Sequence, residues 1–146
     1  MIKVMITGHK TERLNGREQE IKDWITKTLK SLGPSNTYNF TGMARGTDTL
    51  FAEVVKEMGL PLVCAFPYKH PMSEVEQTFI DYAEQVYFQS EKKYDGCYAD
   101  RDKWMVDHSD VVLVVWDGVP KGGAYDIMQY AENETKTVIM FPWEKK

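Results

Sequence analysis

The chain has 146 residues, 42% hydrophobic and 27% charged, and its 18 Lys and Arg against 22 Asp and Glu give a net charge of -4. This balance excludes a disordered chain and predicts one globular domain over 1–146, long enough to bury roughly 70% of its unfolded surface without staples. An acidic chain with no basic run also argues against a polyanionic partner, so nucleic acid ranks last among the ligand classes.

Ile2, Val4 and Ile6 lie in a run that is apolar at nearly every position, as in a strand buried on both faces, and the run stops at Thr7-Gly8. Asn15 with Glu18 has capping-box spacing, and Ile21, Trp24, Ile25, Leu29 and Leu32 follow at helical spacing up to Gly33-Pro34. A short strand is expected over Thr37–Thr41. A helix then carries the stripe Leu50, Phe51, Val54, Val55 and Met58 and closes at Gly59. A third strand is expected from Pro61 to Phe66, a helix capped by Ser73 and Glu76, and a short strand from Gln85 to Phe88. Tyr94-Asp-Gly-Cys97 reads as a turn before a helix over Tyr98–Asp107, in which Trp104 and Met105 are assigned to the core. Six apolar residues, Val111–Trp116, make the clearest central strand, Gly122-Gly123 opens a last helix through Asn133, and Thr137–Phe141 is a last strand. Strands alternating with helices imply right-handed crossovers, and hence a single doubly wound α/β domain, Rossmann-like, with a mostly parallel sheet.

Cys64 and Cys97 form no CxxC pair, and His9, His70 and His108 are dispersed, the last two reading as surface residues. Neither a disulfide framework nor a metal site is expected, no cofactor is implied, and reduced thiols point to the cytoplasm. With no run of 18 apolar residues and no signal-peptide start, no membrane association is expected.

Ligands of open parallel sheets bind beyond the carboxyl ends of the strands. Three glycine-bearing loops fall there: Thr7-Gly8-His9-Lys10, then Gly42-Met-Ala-Arg45-Gly46-Thr47-Asp48, then Asp117-Gly118 through Gly122-Gly123-Ala124. Glycine lets backbone N–H groups approach a ligand, and two of the loops open into helices, whose N-termini favour phosphate or carboxylate. Arg45 suits a phosphate contact, and Asp48 suits ribose hydroxyls, a loop N–H or the cap of its own helix. His9 suits a ligand or a loop hydrogen bond equally well. Arg101, between Asp100 and Asp102, reads either as a ligand contact or as part of a solvated salt-bridged face. The dinucleotide fingerprint GxGxxG, the phosphate loop GxxxxGK[ST] and the nucleophile elbow GxSxG are all absent.

Thr7–Lys10, Gly42–Asp48, Arg101-Asp-Lys-Trp-Met105, Asp110–Gly118, Gly122–Ala124 and Tyr130-Ala131 occur in an order that resembles the SLOG (SMF/DprA–LOG) superfamily, and most closely its YpsA-like branch. The resemblance runs from Ile2 to Phe141. It implies a Rossmann-like nucleotide-binding fold, a nucleotide or nucleotide-derived ligand held by these loops with Arg101 and Tyr125 at the site, and a homodimer. The chain departs from the pattern at Lys10, where the family has Arg, at Asp102, where it has Asn, and at Ala124, where it has Thr. Against the PGGxGTxxE motif of the superfamily's phosphoribohydrolases, Tyr125, Asp126 and Gln129 replace the Gly, Thr and catalytic Glu. Gln129 can act neither as acid nor as base. The leading expectation is therefore binding or sensing of a ribose-phosphate ligand. An N-glycosidic hydrolase of nucleoside monophosphates or ADP-ribose-like compounds is the alternative, with Asp48, Asp117 or Asp126 as the catalytic carboxylate, and DprA-like single-stranded DNA binding comes third.

Overall fold

A computed structural model describes residues 1–143. Strands β1 (Ile2–Gly8), β2 (Thr37–Thr41), β3 (Leu62–Phe66), β4 (Gln85–Phe88), β5 (Val111–Val115) and β6 (Thr137–Met140) alternate with helices α1 (Glu18–Ser31), α2 (Thr47–Glu57), α3 (Glu74–Tyr82), α4 (Cys97–Asp107) and α5 (Gly123–Asn133). The strands form one sheet in the order β4-β3-β2-β1-β5-β6, and every pairing is parallel. The periodic segments thus become the elements their spacing predicts, with boundaries shifted by a residue or two.

The burial pattern follows from the sheet order. The inner strands β3 and β5 are buried at every position, whereas the edge strands β4 and β6 are partly open to solvent. Val4, Ile6, Leu62, Leu113 and Val115 point to the face covered by α1, α2 and α3, where Ile25, Phe51 and Phe79 pack. Met5, Val63, Val112 and Val114 point to the other face, under Met105 of α4 and Ile127 and Met128 of α5. Connections leaving β1 run toward β2, and those leaving β5 run toward β6, so the strand order reverses between the carboxyl ends of β1 and β5. A crevice opens at such a reversal. Among the described residues, no helix is long and apolar enough to cross a membrane.

Local signals were obeyed unequally. Ser73 Oγ accepts the Glu76 N–H at 3.1 Å and Glu76 Oε1 accepts the Ser73 N–H at 2.9 Å, the reciprocal pair the sequence suggests. The similar Asn15–Glu18 pattern forms no box: α1 is capped by Arg17 without a side-chain bond, and Asn15 sits at φ 55° in a turn. A 3-10 turn at Thr11–Arg13, not foreseen, carries Leu14 into full burial and so fixes where α1 begins. Ser73→Ala should cost about 1 kcal/mol in urea denaturation, the usual worth of such a cap.

Candidate functional site

The carboxyl edge of the sheet holds a cavity of about 690 Å³. β1 contributes Thr7, Gly8 and Lys10; the β2–α2 loop contributes Gly42, Met43, Ala44, Arg45 and, one turn on, Asp48. α4 supplies Tyr98, Arg101 and Asp102, and the start of α5 supplies Gly123 and Ala124. The remaining lining, Ile6 of β1, Phe66 at the end of β3, Pro67, Tyr68, His70 and Pro71 of the β3–α3 connection and Glu76 of α3, was not marked as part of the site in the sequence. His70 is accordingly half-buried against the cavity rather than a plain surface residue.

Arg101 forms the floor. It is 4% exposed, and its Nη1 donates to the Gly42 and Ala65 carbonyls at 2.7 and 2.8 Å, joining the ends of β2 and β3. Its Nε donates to Asp102 Oδ1 at 2.8 Å. This arginine is therefore no part of a solvated face. Cys97, Arg101 and Met105 recur every four residues on the buried stripe of α4, and that spacing was the available signal. Asp48 lies alongside, 8% exposed, with Oδ2 accepting the Ala44 N–H at 3.2 Å. It bonds a loop amide outside its helix, whose cap is Gly46. Burial pushes its carboxyl up to about 7, with Arg101 opposing and Asp102 adding to the rise. Asp102 is raised by burial too, against the pull of Arg101.

The start of α5 and two basic side chains also line the cavity. α5 begins at Gly123 after a Gly122 cap that has no side chain to cover the first-turn amides, which also lack intrahelical partners. Lys10 is exposed at the rim. Arg45 is exposed and its Nη1 donates to Glu12 Oε2, an exposed pair that costs little to open in water.

Other expected ligand contacts turn out to hold the loops together. His9 is buried, its carbonyl accepts the Thr47 N–H and Oγ1–H at 3.2 and 2.9 Å, and its Nε2 accepts the Asp117 N–H at 3.0 Å. A ring nitrogen that accepts an amide carries no proton; burial and nearby Arg13 lower the His9 pKa despite Asp117. The carboxylate of Asp117 takes Arg13 Nη2 and the Val119 N–H. Burial raises its pKa, but Val119, Arg13 and His9 outweigh that and hold it below the ordinary range. Asp117, Gly118, Gly122 and Tyr125 lie outside the cavity lining, as do His9, Gly46 and Thr47, and Asp126 is exposed on α5. Gly46 has φ 86°, and a Cβ there would meet backbone atoms of His9, Lys10 and Thr11 at 2.6–2.7 Å, so only glycine lets the first two loops touch.

The architecture is a Rossmann-like fold, and solved structures share it. No protein-family model matches the chain, and no curated protein matches it in sequence. The DNA processing protein A (DprA) of Streptococcus pneumoniae superposes with a TM-score of 0.76 at 14% identity, over 97% of this chain and 50% of its own. DprA of Helicobacter pylori, described for its single-stranded DNA binding mode, gives 0.73 at 19% identity, over 98% and 66%. The molybdenum cofactor carrier protein of Chlamydomonas reinhardtii gives 0.66 at 15% identity, over 96% and 76%. The chain thus spans about half to two thirds of the two DprA chains.

Asp48 makes stability depend on pH in a predictable direction. Its folded-state value of about 7 lies above the unfolded 3.8, so the native chain holds a proton that the unfolded chain releases between those values. Its contribution is complete below about pH 4 and is lost as pH rises through 7. Asp48→Asn should therefore recover about 2 kcal/mol relative to wild type between pH 5 and pH 8, read from urea denaturation at both.

Proposed function

We propose that this protein binds a nucleotide or nucleotide-derived ligand, one carrying a phosphate and a ribose, in the cavity at the carboxyl edge of the sheet. The reading rests on one observation: a 690 Å³ cavity, the size of a small-ligand site, is lined by the uncapped start of α5, by Lys10 and Arg45, and by buried Asp48 and Arg101. The Gly123 and Ala124 amides hold phosphate, with Lys10 adding charge and Arg45 turning from Glu12 to the ligand. Asp48 accepts ribose hydroxyls; Asp117, the other candidate for that role, is occupied by Arg13 and Val119. The ordered motifs support a place in the YpsA-like branch, and with it a homodimer. Two buried, unpaired cysteines suit a reducing compartment such as the cytoplasm.

A second reading, N-glycosidic hydrolysis, draws on the Asp48 carboxyl, held at about 7 and hence able to give or take a proton at neutral pH. Of the carboxylates first considered for that role, Asp48 alone lines the cavity. The DprA likeness also weakens the case that net charge makes against nucleic acid, because a single DNA strand offers phosphate to the same basic and amide groups, although its deoxyribose lacks the hydroxyls that Asp48 would accept.

Thermal shift and base release, measured together over nucleoside monophosphates, ADP-ribose, NAD and a single-stranded oligonucleotide, test these readings. Binding predicts a rise of roughly 5–10 °C at a hundredfold excess over Kd, without base release and reduced about tenfold in affinity by Lys10→Ala with Arg45→Ala. Turnover that Asp48→Asn abolishes would establish hydrolysis instead. No shift with any of these ligands would overturn the proposal.

A further inference from the structure

The wall formed by the β3–α3 connection has a composition unlike the rest of the cavity. Phe66 stacks on Phe88 with ring centroids 5.6 Å apart, and His70 meets the Phe66 ring edge-on at 5.7 Å. Tyr68 leans on His70 at 5.4 Å and takes the edge of Tyr98, from α4, at 6.3 Å. The Arg101 guanidinium lies 5.9 Å from the centre of the Tyr98 ring, so the floor of the cavity also steadies this wall. Pro67 and Pro71 bracket the segment and fix its backbone. Tyr68 is part-buried and Tyr98 half-exposed, so each ring retains surface that no described residue covers, while both line the cavity.

Strand order then arranges three chemistries in a row. Lys10 and the α5 amides follow β1 and β5, Arg45 and Asp48 follow the neighbouring β2, and Tyr68 follows β3, where Tyr98 of α4 meets it. With strands about 4.8 Å apart, the end of β3 lies about 10 Å from that of β1 and about 14 Å from that of β5; a nucleoside monophosphate spans the first distance, which brings its phosphate to the β1 loop, next to β5 and the start of α5. We infer that Tyr68 and Tyr98 form a base subsite, on which the heterocyclic base of the ligand stacks while its phosphate reaches α5. The inference rests on the nucleotide-binding reading and adds to it the orientation of the ligand and the residues that select a base-bearing compound over a bare sugar phosphate. Stacking on an aromatic face tolerates every base, so the subsite discriminates by planarity more than by identity.

The test is titration calorimetry of AMP, GMP, CMP, UMP and ribose 5-phosphate against wild type, Tyr68→Leu with Tyr98→Leu, and Tyr68→Phe with Tyr98→Phe. At least one nucleoside monophosphate should bind wild type about 10- to 100-fold more tightly than ribose 5-phosphate. The leucine pair should lose that advantage and keep its affinity for ribose 5-phosphate within twofold; the phenylalanine pair should keep the advantage. Tyr98→Leu alone, at a half-exposed position, replaces the double variant if that fails to fold, and should lose part of the advantage. Equal wild-type affinity for nucleotides and ribose 5-phosphate, or equal weakening of both in the leucine variants, would overturn the base subsite while leaving phosphate binding intact. Binding of none of the five by wild type would overturn both readings.

Discussion

The arrangement of the carboxyl edge depends on a buried guanidinium. Parallel strands end in carbonyls that lose their ladder partners, and a buried carbonyl without a donor is costly. Arg101 answers this at β2 and β3 together, with Nη1 shared between the Gly42 and Ala65 carbonyls. Burying a cation in turn demands an anion close by, which Asp102 supplies through Nε and Asp48 supplements. Space is set by the same group: a Cβ on residue 42 would come within 2.8 Å of the guanidinium carbon and 2.9 Å of Asp48 Oδ2. Gly42, Asp48, Arg101 and Asp102 are therefore one interlocked unit, and changing any member alters the floor of the cavity.

A second unit holds the loops in place around that floor. His9 connects the β1 loop to α2 through its carbonyl and to the β5 loop through its ring. Arg13, on the 3-10 turn, pins Asp117 from the far side. Trp143 closes the assembly from the C-terminal stretch, edge-on to His9 at 6.1 Å and under the Arg17 guanidinium at 5.0 Å. The Phe141-Pro-Trp143 aromatics thus pack inward, Phe141 in the core with Trp24 and Trp143 against the loops. Polar groups that satisfy one another across loops hold those loops in register, which divides the glycine-loop residues into those that build the cavity and those that line it.

Much of the fold was legible because a strand buried on both faces must be apolar at nearly every position, and Ile2–Ile6, Leu62–Phe66 and Val111–Val115 have no other place to go. What failed was local. Asn15 and Glu18 have the same spacing as Ser73 and Glu76, but full burial of Leu14 fixes the chain upstream and leaves Asn15 in a left-handed turn. At the site, the glycine loops were legible from their position after strands, and the division between supporting and facing residues was not, since it depends on loop-to-loop contacts up to 108 residues apart. The aromatic wall was missed for a similar reason: Tyr68, His70 and Tyr98 are separated by a helix and a strand and become a wall only when α4 crosses to the other face of the sheet.

Net charge was the least informative quantity for the cavity, and the reason is physical. A net charge of -4 describes the chain as a whole, where exposed charges are screened within about 10 Å. The cavity lining balances Lys10, Arg45 and Arg101 against Asp48, Asp102 and Glu76. Asp48 is held near 7, so below that pH it is mostly uncharged and the balance of these six tips positive. The α5 amides add partial positive charge that no residue count records. The lining is therefore less acidic than the chain as a whole, and by linkage an anion bound there would favour the protonated form of Asp48. The acidity of the sequence and the balanced charge of its cavity lining are compatible because they act over different distances.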